Sequence, residues 1–357
     1  MGGLIACTEL LLRILPVERP PILRATSDSN PVALFEPNLP FVHSQGALLT
    51  DVVRNRTNNY GFVSGIDYSA SDTSPLCAVV GDSYIQGLTV PPESSFYGRL
   101  RQQLGDRARV YNFGAGGASF PQYLVLSDFA RRAFHPSGLI VAVIERDALE
   151  SWEQFNTAAG QYRFVLDGDS VVMHRRDYVP GRARGIIAAS ALLRYMILNV
   201  QLTPVFSAAV AELRHTLLDR WRHPFVPSHG AVNAPASDTV GEALSRLAVD
   251  EFLRRLPQAS GLPPRQIVLL FDAHQRYPSE TAATTDREAR IRRYSIDAAQ
   301  RLGYGIVDMQ PAFLSEFARD HRRFEFATDR HWTAYGHAAV FRELAKQPLI
   351  QRACASW

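Results

Sequence analysis

The apolar run Leu76-Cys77-Ala78-Val79-Val80 ends on Gly81-Asp82-Ser83, and far along the chain Asp329-Arg330-His331-Trp332 sets an acid two residues before a histidine. A serine hydroxyl is a weak nucleophile near neutral pH. It needs a base within hydrogen-bond reach, and that base needs a third group to fix its ring. His331 and Asp329 can supply both from one loop, which makes Ser83, His331 and Asp329 the candidate catalytic residues. Gly81 would allow a sharp turn after the strand, and the Ser83 amide would then lie near a helix start, where partial positive charge favours an oxyanion. Taken alone, an Asp-Ser pair after a strand reads first as a helix cap, and a lone histidine as a capping or core residue. The chemical reading gains its weight from what stands elsewhere in the chain.

The elements that must position these residues are legible as an alternation. Short apolar runs at 75–83, 108–114, 137–147, 265–274 and 303–309 have the length and composition of fully buried strands. Helical stretches lie between them, such as 94–105, 120–134 and 286–303. Strand and helix in succession predict a parallel sheet covered on both faces, an α/β fold of three layers, α/β/α. Ligands of such sheets bind at the carboxyl ends of the strands, where Ser83, Gly114 to Gly117, Arg146 and His274 would emerge.

Residues 150 to about 262 break this rhythm and read as an insertion able to wall or cover the site. Alternating runs around Asp167-Gly168 predict a β-hairpin, with 185–202 and 203–221 as helices and 226–238 as a Pro/Ala/Ser/Gly-rich loop. The apolar stretch in this region is interrupted at Arg194, so it is not a transmembrane helix. The rest divides into an apolar N-terminal segment (1–15), an extension (16–74) and a main domain (75–349) that carries the insertion.

Composition excludes several classes. The 357 residues are 46% hydrophobic and 20% charged, and the formal charge of +3 comes from basic residues interleaved with acids, which argues against a nucleic-acid surface. Cys7, Cys77 and Cys354 are far apart, so neither a disulfide framework nor a zinc site is indicated, and no cofactor loop, metal cluster or repeat is present. Residues 3–15 are apolar but shorter than the roughly 20 residues a bilayer span needs. They read as an amphipathic helix packed on the domain or as the trimmed end of an export or anchoring segment. Leu4-Ile5-Ala6-Cys7 resembles a lipobox, but six residues before the cysteine are too few. With the Pro-rich tether that follows, this suggests possible membrane attachment and an extracytoplasmic location, periplasmic or at the cell surface.

Three blocks together resemble the SGNH/GDSL hydrolases. Gly81-Asp82-Ser83 is similar to their first block, Asn112 to Gly117 to their second, and Asp329-Arg330-His331 to their last, in family order over residues 75–345. The resemblance implies a flavodoxin-like sandwich, Ser83 as nucleophile, and an oxyanion site built from the amides of Ser83 and Gly117. His337, one turn into the last helix, would be a packing residue. The third block departs from the family. Glu145-Arg146-Asp147 stands where Gly-Asn-Asp is usual, so the donor asparagine is replaced by Arg146, which would either donate to an oxyanion or pair with Glu145 or Asp147. The Asp-x-His-Trp loop resembles the SGNH-like domains of alginate and related polysaccharide O-acetyltransferases. It and "RTNNYGF" also resemble a group of often membrane-anchored bacterial GDSL proteins. The function expected is a serine esterase removing an acyl group, chiefly acetyl, from a carbohydrate or similar hydroxylated substrate. The alternatives are an O-acyltransferase acting on an exported polysaccharide and an inactive binding domain. Oligomeric state is not legible here.

Overall fold

Helix Gly2–Ile14 opens the chain and is followed by an antiparallel pair, β1 (Pro40–Gln45) and β2 (Thr50–Arg56). Then come β3 (Leu76–Gly81), β4 (Arg109–Gly114) and β5 (Gly138–Val143), a hairpin of β6 (Tyr162–Asp167) and β7 (Ser170–Arg175), and finally β8 (Ile267–Phe271) and β9 (Gly305–Asp308). The computed structural model describes residues 2–28, 30–181, 183–202, 238–277, 286–327, 329–347 and 350. The helix expected over 203–221 and nearly all of the loop expected over 226–238 lie outside them.

The five expected strands form one parallel sheet in the order β4-β3-β5-β8-β9. Strands β3, β5 and β8 are buried along their whole length, which is why they read as unbroken apolar runs and not as alternating ones. Leu76, Ala78 and Val80 face one core and Cys77 and Val79 the other. The first core is closed by helices Phe120–Phe134, Asp238–Ser260 and Asp286–Arg301, the second by helices Phe96–Leu104, Met309–Asp320 and Ala334–Ala345. This is the three-layer α/β/α sandwich expected. The chain leaves β3 for β4 on one side and returns to β5 on the other, so the sheet's topological switch point, where a crevice opens, lies at the carboxyl ends of β3 and β5.

One boundary differs from the sequence reading. Helix Asp238–Ser260 falls inside the range assigned to the insertion, yet it is the crossover that returns the chain from β5 to β8. Phe252 stacks on Phe120 with ring centroids 4.5 Å apart, and Tyr304 donates to the Leu253 carbonyl at 2.6 Å. The Pro/Ala-rich run before this helix tied it to the insertion in the sequence, whereas its apolar stripe, Ala248, Val249, Phe252, Leu253 and Leu256, belongs to the sandwich.

The N-terminal helix lies against the insertion, not in the core. Leu12 packs with Val17 and Ala191, and Glu9 accepts hydrogen bonds from Ser190, Ala191 and Leu192. Leu4 and Ile14 are 75% and 78% exposed, and Ile5, Leu10 and Leu11 are also exposed. Among the described residues no helix is long and apolar enough to cross a membrane. Cys7 is free, but Cys77 is disulfide-bonded, a correction to the cysteine reading. Such a pairing depends on proximity in space, which sequence spacing does not report.

If helix Asp238–Ser260 is a core element, Phe252→Ala should destabilise the protein by about 3–5 kcal/mol in denaturant unfolding. A loss under about 1 kcal/mol would put the helix outside the sandwich.

Candidate active site

Strand β3 delivers the chain to the switch point and stops there. Asp82 caps the single-turn helix Ser83–Gln86, its Oδ1 accepting from the Tyr84 amide at 2.9 Å, and Gly87 ends the turn with φ +80°. Gly81 is needed for space and not for a left-handed turn. A Cβ there would come within 2.2 Å of Ile85 Cγ1, because the turn folds directly back over the strand end. Ser83 is thereby presented at the carboxyl edge of the sheet.

The loop 329–332 meets it from the far end of the chain. Ser83 Oγ lies 2.7 Å from His331 Nε2, and His331 Nδ1 lies 2.5 Å from Asp329 Oδ1. Asp329 also accepts from the His331 amide at 3.1 Å. A carboxylate on Nδ1 favours the proton there and leaves Nε2 to accept from the serine hydroxyl. Burial pushes the Asp329 carboxyl up, but the hydrogen bond and charge of His331 outweigh it, and the net shift is downward.

What holds this loop was not legible as a motif. The Arg276 guanidinium, almost fully buried, donates to the Arg330 carbonyl at 3.1 Å, to Tyr84 Oη at 3.2 Å and to Asp272 Oδ2 at 2.5 Å. Tyr84 donates to the same Arg330 carbonyl at 2.8 Å, and its ring centroid is 4.8 Å from that of His331. Asp272 Oδ1 accepts from Trp332 Nε1 at 3.2 Å, so the residues on both sides of His331 are anchored. Burial pulls Arg276 down, yet Asp272 and Tyr84 together hold it well above its ordinary value, and it remains a cation. The one hint in the sequence is the polar cluster after β8, Asp272 to Arg276. His337 is buried and accepts from the Phe96 amide at 3.4 Å. Burial, and then the charge of His331, push it down to about 3, so it stays neutral.

Gly117 has φ +74°, a conformation a side chain would strain. Its carbonyl accepts from Arg163 Nη2 at 2.9 Å, and the Gly116 carbonyl accepts from Gln161 at 3.1 Å. Arg163 also reaches Ser119 Oγ at 3.3 Å, so the hairpin expected as part of a wall in fact clamps the glycine turn. Burial lowers Arg163 to about 10, still charged near neutral pH. Among the described residues the Gly117 N–H donates to nothing.

Arg146 differs from expectation. Its half-exposed guanidinium pairs with Glu150 at 2.6 Å, one helical turn on, and its two expected partners are engaged elsewhere. Glu145 faces His274, and Asp147 accepts from the Ile144 amide at 2.8 Å and Tyr123 Oη at 3.0 Å. An i,i+4 pair across the short helix Asp147–Glu150 satisfies the guanidinium locally, and the arrangement gives no support to Arg146 as an oxyanion donor.

No protein-family model matches the sequence, and no curated protein does. Solved structures with a similar layout include LAE5, described as an alpha/beta hydrolase from the metagenome of Lake Arreo, Spain, at 13% identity over 81% of this chain and 99% of that one, with a TM-score of 0.39. They include the acetyl xylan esterase AlAXEase, at 10% identity over 76% of this chain and 98% of that one, TM-score 0.40. A lipolytic G-D-S-L family member from Veillonella parvula is similar at 8% identity over 76% and 97%, TM-score 0.38.

Two predictions follow from the electrostatics. Burial raises Asp82 to about 7 against the opposing pull of His331, and the neighbouring Asp147 is raised well above its ordinary value. Between the ordinary carboxylate value and about 7 these two carboxyls keep protons that the unfolded chain has lost, so their contribution to stability should fall as pH rises from about 4.5 to 7, while the buried neutral His337 contributes in the opposite sense below about 6.5. Asp82→Asn should flatten that slope in urea unfolding series, and an unchanged slope would contradict the assignment. Arg276→Met leaves the buried Asp272 carboxylate without its cation and is expected to destabilise by about 3–5 kcal/mol, again read by urea unfolding. A neutral result would mean that the network around Arg330 does not depend on it.

Proposed function

We propose that this chain is an SGNH/GDSL-type ester hydrolase that works through an acyl-serine intermediate. The observation that carries the reading is the unbroken hydrogen-bond chain from Ser83 Oγ through His331 to Asp329, at 2.7 and 2.5 Å. In this reading Ser83 Oγ attacks the acyl carbonyl as its proton passes to His331 Nε2, while Asp329 steadies the imidazolium. The proton then goes to the departing alkoxide oxygen. Water, deprotonated by the same imidazole, attacks the acyl-serine, and the acid leaves as Ser83 recovers its hydrogen. The Ser83 and Gly117 amides are the proposed oxyanion donors, without Arg146. An acetylated carbohydrate or similar hydroxylated ester is the proposed substrate class. The exposed leucines of the N-terminal helix and the disulfide at Cys77 support an extracytoplasmic, surface-associated setting.

The transferase reading rests on the Asp-x-His-Trp loop. Trp332, however, is 1% exposed and bonded to Asp272, which gives it a role in fixing the loop whatever accepts the acyl group. Hydrolysis is therefore preferred, and the same complete chain of contacts speaks against an inactive binding domain.

Ser83→Ala should lower turnover of a chromogenic acetyl ester by at least about 10³-fold with the unfolding midpoint nearly unchanged. Full activity in that variant would remove Ser83 as nucleophile. Incubation with the same chromogenic acetyl ester plus an acetyl-free polysaccharide should yield acetate and leave the polymer unacetylated. Acetyl groups found on the polymer by mass spectrometry, only when Ser83 is intact, would replace hydrolysis by transfer.

A further inference from the structure

His274 emerges at the carboxyl end of the sheet but takes no part in the chemistry just described. It comes together with two acids from separate segments: Glu145 from the loop after β5, and Glu288 from the first turn of helix Asp286–Arg301. Each of the three offers one ligand atom, and these atoms all lie within 4.8 Å of one another. Glu145 and His274 are largely shielded, with side chains 12% and 16% exposed, and the Glu145 carboxylate faces His274 Nδ1. Glu288 makes no hydrogen bond or ion pair among the described residues.

Asp272 lies near this cluster as well. Asp272 is already bonded to Arg276 and Trp332. Nearby guanidinium groups are committed elsewhere, Arg146 to Glu150 and Arg292 to Asp308 and the Asp272 carbonyl. Two carboxylates and an imidazole converging in a shielded place make a donor set for a cation.

We propose that Glu145, His274 and Glu288 form a binding site for a divalent transition-metal ion, Zn²⁺ being the fitting probe. Carboxylate oxygens alone would suit Ca²⁺ or Mg²⁺, but an imidazole nitrogen shifts the preference toward zinc and its neighbours. Zinc–nitrogen and zinc–oxygen distances of about 2.0–2.2 Å put tetrahedral ligand atoms about 3.3 Å apart. From the 4.8 Å spread, closure asks for about 1.5 Å at most, which rotation of the Glu288 side chain can supply, while the Glu145 and His274 atoms now in contact would part to admit the ion. Three protein ligands leave a fourth position open. The sequence did not show this site because its members belong to three distant segments and carry no short-range spacing.

The test is calorimetric titration of the full chain with ZnCl₂ after dialysis against a chelator, with metal content measured separately. One equivalent should bind, with Kd in the micromolar range or tighter. His274→Ala and Glu288→Gln should each weaken binding by at least about 10-fold. Glu242→Gln, on a part-buried Arg-paired acid outside the cluster, should leave binding unchanged. Mg²⁺ and Ca²⁺ should bind at least about 10-fold more weakly than Zn²⁺. Glu288 lies at a helix start, so its substitution gives an answer even if changes at the more buried Glu145 prevent folding. Absence of saturable zinc binding, binding unaffected by both ligand variants, or equal affinity for Ca²⁺ would overturn the proposal.

Discussion

Arg276 carries its charge where almost no water reaches, and the candidate site is assembled around that charge. Burying a guanidinium costs several kcal/mol unless its charge is compensated, and here its two Nη groups face Asp272, Glu325, Tyr84 and the Arg330 carbonyl. The partners come from the segment after β8, the turn after β3 and the loop before the last helix. Satisfying one cation thus draws together the segments that carry Ser83 and His331. Ser83 and His331 are 248 positions apart in the chain, and no local preference brings them within 2.7 Å. The same guanidinium acts on both sides of that contact, through Tyr84 next to the serine and through Arg330 next to the histidine.

A second buried arginine acts on the opposite wall. Arg163, from the hairpin, fixes the Gly117 carbonyl and reaches Ser119 at the start of helix Phe120–Phe134. Once that carbonyl is held from outside the sheet, the orientation of the glycine turn no longer depends on the turn alone. The hairpin is therefore tied to the site by charge-assisted hydrogen bonds, which are shorter and stronger than neutral ones. Its remaining strand, β7, is largely exposed.

The sequence made the sheet legible because parallel strands buried on both faces leave continuous apolar runs, and all five runs became strands. Ser83, His331 and Asp329 were legible because their chemistry requires particular residue types at strand and helix ends. Arg276 and Arg163 were not. An arginine destined for burial looks like any surface arginine in a chain with many of them, and its destination depends on partners far away in sequence. Helix Asp238–Ser260 was recognisable as helix in its periodicity but was given to the insertion, since composition marks loops more clearly than it marks which layer a helix joins. The partner of Arg146 was missed for a simpler reason. The acids beside it were weighed, while the one a helical turn away, Glu150, is the one within reach.

Tyr84 follows Ser83 directly in a single helical turn, and its hydroxyl and ring bear on the loop that carries His331. Ser83 and His331 are thus linked through an aromatic side chain one residue from the serine. The Tyr84 hydroxyl takes a hydrogen bond from Arg276 and gives one to the Arg330 carbonyl, so the segments of Ser83 and His331, 248 positions apart, share one side chain. The spacing of Ser83 and His331 therefore rests on that single ring as well as on the sheet.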